Sequence, residues 1–558
     1  MEYAADTAYS LSHLTFKLNS IKQITMKRTK YCLLFALILL IIPAAANNLS
    51  ITNVSYDNAT QQISFDVSWD NSWRRDASIP FNYDGVWLFV KVRECSQKDL
   101  GNPSGYYHSW LSTTVTDHSA TPSGADALTI EMGNTDIAAT PRGMGVFIYR
   151  TADGGTSSIS TSVTLQWDKA AQAGAMAEID MADDYDVKVF GVEMVYVPQA
   201  SYSLGDGSAY RSFFDFNLGA GNPYQVTSEA SFNVSNAGNY YNEIGNAAGT
   251  AVNANFPKGY DGFWIMKYEI TQAQYAEFLN TLTFQQVENR TQDEIFTLIG
   301  KRYVMSDNAG VVNRQAICFI PSGDRRVDKF GVDFNDNDII DETSDGGGIA
   351  CSYINLRDIT AYLDWAALRP LTELEFEKAC RGTVPPIADE NAWGTGEETA
   401  VTAIINSGLA TEMASNSGNG LCNYGNTVGS DPMRVGFAAT NSTNRVRAGA
   451  SYYGIMDLSG NMHEPYVSFY SDPAYADEFD GSTGDGELDA DGYQDVTGWP
   501  SHAADGDVNR YLPKGGSCNR GQEYLRISYR RIVNNYYRYD SATEVNRRNA
   551  YGGGRGGR

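Results

Sequence analysis

The residues of this 558-residue chain with the clearest capacity for chemistry lie near its end. They form Lys514-Gly515-Gly516-Ser517-Cys518-Asn519-Arg520, followed by Leu525-Arg526-Ile527-Ser528-Tyr529-Arg530. Two glycines ahead of a small hydroxyl residue let the backbone turn tightly, and the alternation after Leu525 reads as a strand. A thiol in such a turn acts as a nucleophile or soft-metal ligand when a base or a second thiol activates it, and otherwise serves as a small buried hydrophobe. No histidine or neighbouring cysteine stands beside Cys518, with Cys422 as its one candidate partner. Cys518 is therefore a weak catalytic candidate.

Oxygen ligands offer a second chemistry. Glu487-Leu488-Asp489-Ala490-Asp491-Gly492-Tyr493-Gln494-Asp495 matches the start of a calcium loop of the EF-hand kind, with oxygen residues at positions 1, 3, 5 and 9 and Gly at 6. It begins with Glu and lacks the closing Glu. Asp333, Asn335, Asn337 and Asp341 form a poorer version without the glycine. For both segments a solvated loop is the competing reading.

These residues must be positioned by a large fold. The length implies two domains, and a charged fraction of 20% with 12% aromatics implies well-buried globular structure. A formal charge of −25 excludes a nucleic-acid partner, because phosphate binding draws on clustered Lys and Arg. It suits solubility and divalent cations. Histidine is scarce, no HExxH occurs, and Cys95, Cys318, Cys351, Cys380, Cys422 and Cys518 include no CxxC pair, so neither a zinc site nor a dithiol motif is supported. One or two disulfides are expected in an oxidising compartment.

Lys27, Arg28 and Lys30 precede the apolar run Leu33 to Ile42, after which Pro43-Ala44-Ala45-Ala46 offers small residues for cleavage. Residues 1–46 thus read as an upstream extension and a secretory signal starting at Met26. The run is short of the roughly 20 residues that a spanning helix needs. The mature chain is expected to have no transmembrane segment and to be secreted, extracellular or held at the cell surface. No cysteine follows the run at a lipid-attachment position.

Residues 47–185 read as a small all-β sandwich. Gln62 to Trp69 alternates strictly, Val86 to Val92 is a more continuous apolar run, and Gly145 to Tyr149 and Val163 to Trp167 repeat the strand signal. His108 and His118 are expected as exposed loop histidines. Residues 190–558 mix strands and helices. In Phe263 to Leu279 a strand gives way to a helix with Thr271 as cap and Gln274 as capping-box partner, and Tyr275, Phe278 and Leu279 form its buried stripe. A second helix starts near Leu356, and a third follows Thr372 with Glu375 as box partner.

The segments MVYVP…LG, FWIMKYEITQAQYAEFL, RPLTELEFEKACRG, YYGIMDLSGNMHE and KGGSCN…LRISYR resemble, in order over about 360 residues, the formylglycine-generating enzyme or sulfatase-modifying factor family. The resemblance implies an α+β C-type-lectin-like domain over 190–558, whose active members use copper and oxygen to oxidise a sulfatase cysteine to formylglycine. It also implies two copper cysteines, at the positions of Arg520 and Leu525. Neither can hold Cu(I), which favours sulfur, so copper is not expected. The family pattern further implies calcium on Asp457, Gly460, Met462 and Glu464, with a capped acidic turn as the alternative. Hard oxygens within so short a turn suit Ca²⁺ independently. A second family calcium site falls near Asn423, Tyr424 and Asp431, with a spacing that differs.

The tail beyond Tyr529, with Tyr536, Tyr537 and Tyr539, reads either as a contact surface or as a final strand with a frayed Gly-Arg end. The sequence therefore points to a catalytically silent family member with structural calcium. It would bind surface proteins or glycans, or associate with itself in a filament or sheath. Two alternatives stay open: an active oxidase with a displaced site, and a component of an export or gliding apparatus.

Overall fold

The alternation in Gln62 to Trp69 belongs to a strand with one dry face, and its neighbours explain why. A computed structural model describes residues 48–95, 105–135, 141–208, 212–215, 218, 221–234, 250–291, 300–306, 310–321, 329–440, 442–469, 473–500, 510–530 and 548–558. In it β1 (Ser50–Asp57) and β2 (Gln62–Arg74) form an antiparallel sheet with two strands from further along the chain. The second sheet is built on β3 (Asp84–Glu94), flanked by the short β4 (Tyr107–His108). β5 (Ser119–Pro122), β6 (Leu128–Asn134), β7 (Gly143–Arg150) and β8 (Gly154–Gln166) complete the β-rich region. The first sheet has the order β1-β2-β8-β5. Ile63, Phe65, Val67 and Trp69 of β2 meet Val86, Leu88, Val90 and Val92 of β3 in one core.

β3 is buried on both faces, which is why its sequence lacks a polar alternation. Its other face presents Trp87 and Phe89 to a second, larger core. After helix α1 (Lys169–Ala175) comes β9 (Tyr185–Val197), which runs antiparallel to β3 from Asp84↔Val195 to Glu94↔Tyr185. β10 (Phe263–Met266) then pairs with the end of β9, from Phe263↔Val197 to Met266↔Met194. The second sheet thus reads β10-β9-β3-β7-β6.

The remainder is mixed α/β with short strands and much irregular chain. α2 (Gln272–Leu279) starts with the expected capping box of Thr271 and Gln274, and α5 (Glu373–Arg381) with that of Thr372 and Glu375. Between them lie α3 (Phe284–Arg290) and α4 (Leu356–Trp365), each with a capping box of its own. Tyr275, Phe278 and Leu279 face the core beside Tyr362 and Trp365 of α4. These are the five helices among the described residues, and none is long and apolar enough to cross a membrane.

Three expectations are corrected. His108 and His118 are 0% and 7% exposed, because β4 docks on β3 and His118 Nε2 lies 2.9 Å from the Ser112 carbonyl oxygen. Cys318, Cys351, Cys380, Cys422 and Cys518 are buried free thiols, so no expected disulfide forms among these five. The Gly-Arg end is a buried edge and does not fray. Arg558 and Trp264 exchange backbone hydrogen bonds of 2.8 and 2.9 Å, and Gly557 exchanges two more with Arg369. Tyr536, Tyr537 and Tyr539 lie outside the described residues.

This edge tolerates only glycine where chains touch. A Cβ on Gly557 would stand 2.4 Å from the Trp264 carbonyl oxygen and 2.5 Å from Leu371 Cδ2. Gly557→Ala is expected to lower stability by about 2 kcal/mol, in the range of overpacking costs, measured as a lower urea midpoint at unchanged slope.

Candidate functional site

The turn at Gly515-Gly516 is dictated by backbone geometry, since both residues have positive φ, +82° and +73°, where a side chain is disfavoured. It follows β12 (Tyr511–Lys514), which pairs antiparallel with β11 (Glu464–Val467), opposing Glu464 to Lys514. Backbone bonds then tie three distant segments together. Gly460 N donates to Gly515 O at 2.8 Å, Cys518 N to Asn461 O at 2.8 Å, and Asn461 N to Asn423 O at 2.9 Å. Asn426 N donates in turn to Cys518 O at 2.7 Å. The residues singled out at 423–431, 457–464 and 515–525 therefore share one site.

Within it, Cys518 is fully buried, and burial pushes its thiol far above the ordinary range, the opposite of what an attacking thiolate needs. Leu525 is 0% exposed and packs with Trp393 and Cys422. The Ser459 hydroxyl donates to the Leu525 carbonyl at 2.7 Å, anchoring that position to the 457–464 loop. Arg520 places its guanidinium 5.6 Å from the Tyr551 ring and 5.8 Å from the Tyr524 ring.

The carboxylates nearby already have partners. Arg555 grips Glu464 with Nε at 2.8 and 2.7 Å from its two oxygens and Nη2 at 2.6 Å, and the Tyr466 hydroxyl donates to Oε2 at 2.5 Å. Asp457, at a positive φ of 60°, accepts from Gly436 N at 2.6 Å. Burial raises its carboxyl to about 6. Glu269, which the sequence gave no reason to single out, receives Asn461 Nδ2 at 2.6 Å and Met462 N at 3.0 Å. Burial raises Glu269 well above the carboxylate range, and Asp457 and Glu464 add to the effect. Its place in FWIMKYEIT carried no local mark of these long-range partners.

Asn423 differs from the others. Its Nδ2 donates to Asp431 O at 2.9 Å and lies 3.3 Å from Asn461 Oδ1, while its Oδ1 is buried and has no hydrogen-bond partner among the described residues. Asp431 Oδ1 accepts from Asn313 Nδ2 at 3.3 Å. A buried amide oxygen without a donor is a costly arrangement that a cation would relieve.

In the 487–495 loop, Glu487 and Asp489 turn their oxygens to the backbone. Glu487 turns inward to accept His108 N at 2.6 Å, and burial raises its carboxyl to about 7. Asp489 Oδ1 caps the turn by accepting Asp491 N at 2.9 Å and Tyr493 N at 2.8 Å. Asp495 N donates to Asp364 Oδ2 at 3.2 Å. Among the described residues, the three acidic groups that converge within 4.8 Å are Asp333, Asp336 and Asp338. Lys301 Nζ lies 2.8, 2.6 and 2.8 Å from them, so one ammonium bridges all three carboxylates. Asn335 and Asn337 lie beside it with Glu342, and Asp341 pairs with Lys329 at 2.6 Å.

The glycine turn, the 457–464 loop and the asparagine segment are thus joined at one point by backbone hydrogen bonds. The model of the sulfatase-modifying factor enzyme 1-like domain matches residues 222–544, more than half of the chain, and the chain belongs to that family. No curated protein matches it. A solved structure from work on pH-induced modulation of Streptococcus parasanguinis adhesion by Fap1 fimbriae is similar at 16% identity, covering 33% of this chain and 77% of that one. At a TM-score of 0.12, that likeness carries no argument.

Arg555 joins the end of the chain to the site through a fully buried pair. Arg555→Met leaves Glu464 buried without its counter-charge and is expected to cost about 3–5 kcal/mol in chemical denaturation. Adding Glu464→Gln to that variant removes the orphaned charge, so a double-mutant cycle should recover a large part of the loss.

Proposed function

We propose that this protein is a secreted or cell-surface binding or structural module whose sulfatase-modifying domain no longer performs copper oxidation. The observation that carries this reading is Leu525, a fully buried core residue where the family resemblance puts a copper thiolate. A cuprous ion held by two sulfurs has no ligand at Leu525 or at Arg520. The deeply buried Cys518 thiol supports the same reading against a displaced oxidase site.

Short helices set in irregular chain, closed by a terminal segment beside β10, support a C-type-lectin-like arrangement of this domain. Calcium fits best at the Asn423 side of the site. Asn423 Oδ1 and the Asp431 carboxylate would hold it there, and the ion would supply positive charge that braces the 423–431 loop. At Asp457, Gly460, Met462 and Glu464 the fit is poorer, because Arg555 and Tyr466 already engage Glu464. The leader read at residues 1–46 is the ground for export. Surface proteins, glycans or further copies of the chain are the partners proposed.

Two measurements test this. The purified full chain, given Cu(I), oxygen and a Cys-x-Pro-x-Arg peptide, is expected to yield no formylglycine by mass spectrometry, and turnover would overturn the reading. Millimolar calcium is expected to raise Tm by about 4 °C or more relative to a chelator, as binding to the folded state alone requires. Asn423→Ala should abolish that difference, and equal melting with and without calcium would remove the ion from the proposal.

A further inference from the structure

A cavity of about 340 Å³, which shares Glu269 with the site at the glycine turn, lies where the edge of β9 beyond its pairing with β10 faces α2 and α4. Its walls are mostly apolar and aromatic, with Phe89, Phe190, Met266, Tyr362 and Trp365 among them. Phe89 and Phe190 stack at 5.4 Å, and Trp365 meets them edge-on at 5.1 and 4.8 Å. Such a lining favours a ligand with an apolar body.

Two buried carboxylates interrupt the apolar wall, Glu193 and Glu269. Glu193 is 5% exposed, and its Oε2 lies 3.0 Å from Lys267 Nζ. That ammonium is shared with Asp84 at 3.3 Å, so one positive charge serves two carboxylates. Glu193 Oε1 is buried and accepts no hydrogen bond among the described residues. Burial raises the Glu193 carboxyl above its ordinary range, as expected for a charge short of partners. The donors on Glu269 are the Asn461 amide and Met462 N–H, neither of them a cation. Trp365, whose indole N–H has no partner among the described residues, belongs to the same wall. At the cavity's edge Glu277 stands 3.5 Å from Lys188 and 3.9 Å from Lys329, a loose and partly exposed pairing.

We propose that this cavity binds a small organic cation, with an ammonium group on the Glu193 carboxylate and an aromatic or branched aliphatic body against the Phe89, Phe190 and Trp365 wall. An unpartnered carboxylate oxygen in an apolar pocket calls for a donor that carries its own positive charge, and aromatic walls favour the same cation. An anion finds no Lys or Arg in this lining, only the acidic Glu193, Glu269 and Glu277, and a neutral apolar molecule leaves the Glu193 carboxylate without a new partner. The cation assignment uses neither Arg520 nor Leu525.

Titration calorimetry on the full chain with phenethylamine, its neutral counterpart 2-phenylethanol and its anionic counterpart phenylacetate tests the assignment. Phenethylamine is expected to bind at least about tenfold more tightly than 2-phenylethanol, with phenylacetate weakest. Glu193→Gln should erase the preference for the amine. Ala273→Trp, at an exposed lining position of α2, should close the mouth and abolish binding of all three while leaving the fold intact. Equal affinity for amine and alcohol, or no phenethylamine binding up to about 10 mM, overturns the proposal, as does an amine preference that survives Glu193→Gln. Should Glu193→Gln fail to fold, the comparison of probes on the unaltered chain and on Ala273→Trp decides it.

Discussion

Arg555 and Glu464 meet fully buried, 91 positions apart in the chain, with three guanidinium–carboxylate contacts of 2.6 to 2.8 Å. The same device recurs through the domain. Arg530 reaches Glu373 at 2.6 and 2.8 Å, Arg369 forks onto Glu375 at 3.0 and 2.6 Å, and Arg290 and Arg548 share Asp358. Arg381 lies between Glu377 and Glu390. A planar guanidinium fixes direction as well as distance, so each pair sets how two segments lie against each other. Replacing such a pair with apolar groups is often neutral, whereas removing one partner is costly. Their physical role here is to make alternative arrangements of irregular chain expensive.

That constraint explains the form of the site. With few long strands to hold it, the 457–464 loop is positioned by Arg555 on Glu464, by Glu269 on Asn461 and Met462, and by Ser459 on the carbonyl of Leu525. The glycine turn and the Asn423 segment join it through backbone bonds. Of the copper positions of the resemblance, one is a leucine packed in the core and the other a half-buried arginine beside two tyrosines. Asn423 Oδ1 is buried here without a hydrogen-bond partner among the described residues.

The β-rich region is bound to the rest through shared strands. β3 gives alternate residues to two cores, and β9 carries Phe190, Val192 and Met194 to one core and Val195 and Val197 to another. The inward turn of Glu487 onto the backbone of His108 adds a polar contact between segments 379 positions apart. The cavity beside Glu193 arises at the same junction, where the sheet edge, α2 and α4 leave space between them.

The sequence by itself determined whatever depends on neighbours within a turn or on residue identity. The capping boxes of α2 and α5, the one-faced alternation of β2, the more continuous apolar run of β3 and the family segments in order were all legible, as was the absence of sulfur at residues 520 and 525. Only the tertiary structure decided that His108 and His118 are buried, that the Gly-Arg end is an interior edge, and that Glu269 stands at the site. It alone decided that the Glu487 and Asp489 carboxylates bond within the protein and that Lys301 bridges Asp333, Asp336 and Asp338. The reason is range. A cap or an alternation is written in contacts three or four residues apart, while the charge pairs and cavities join positions tens to hundreds of residues distant, which no local pattern encodes.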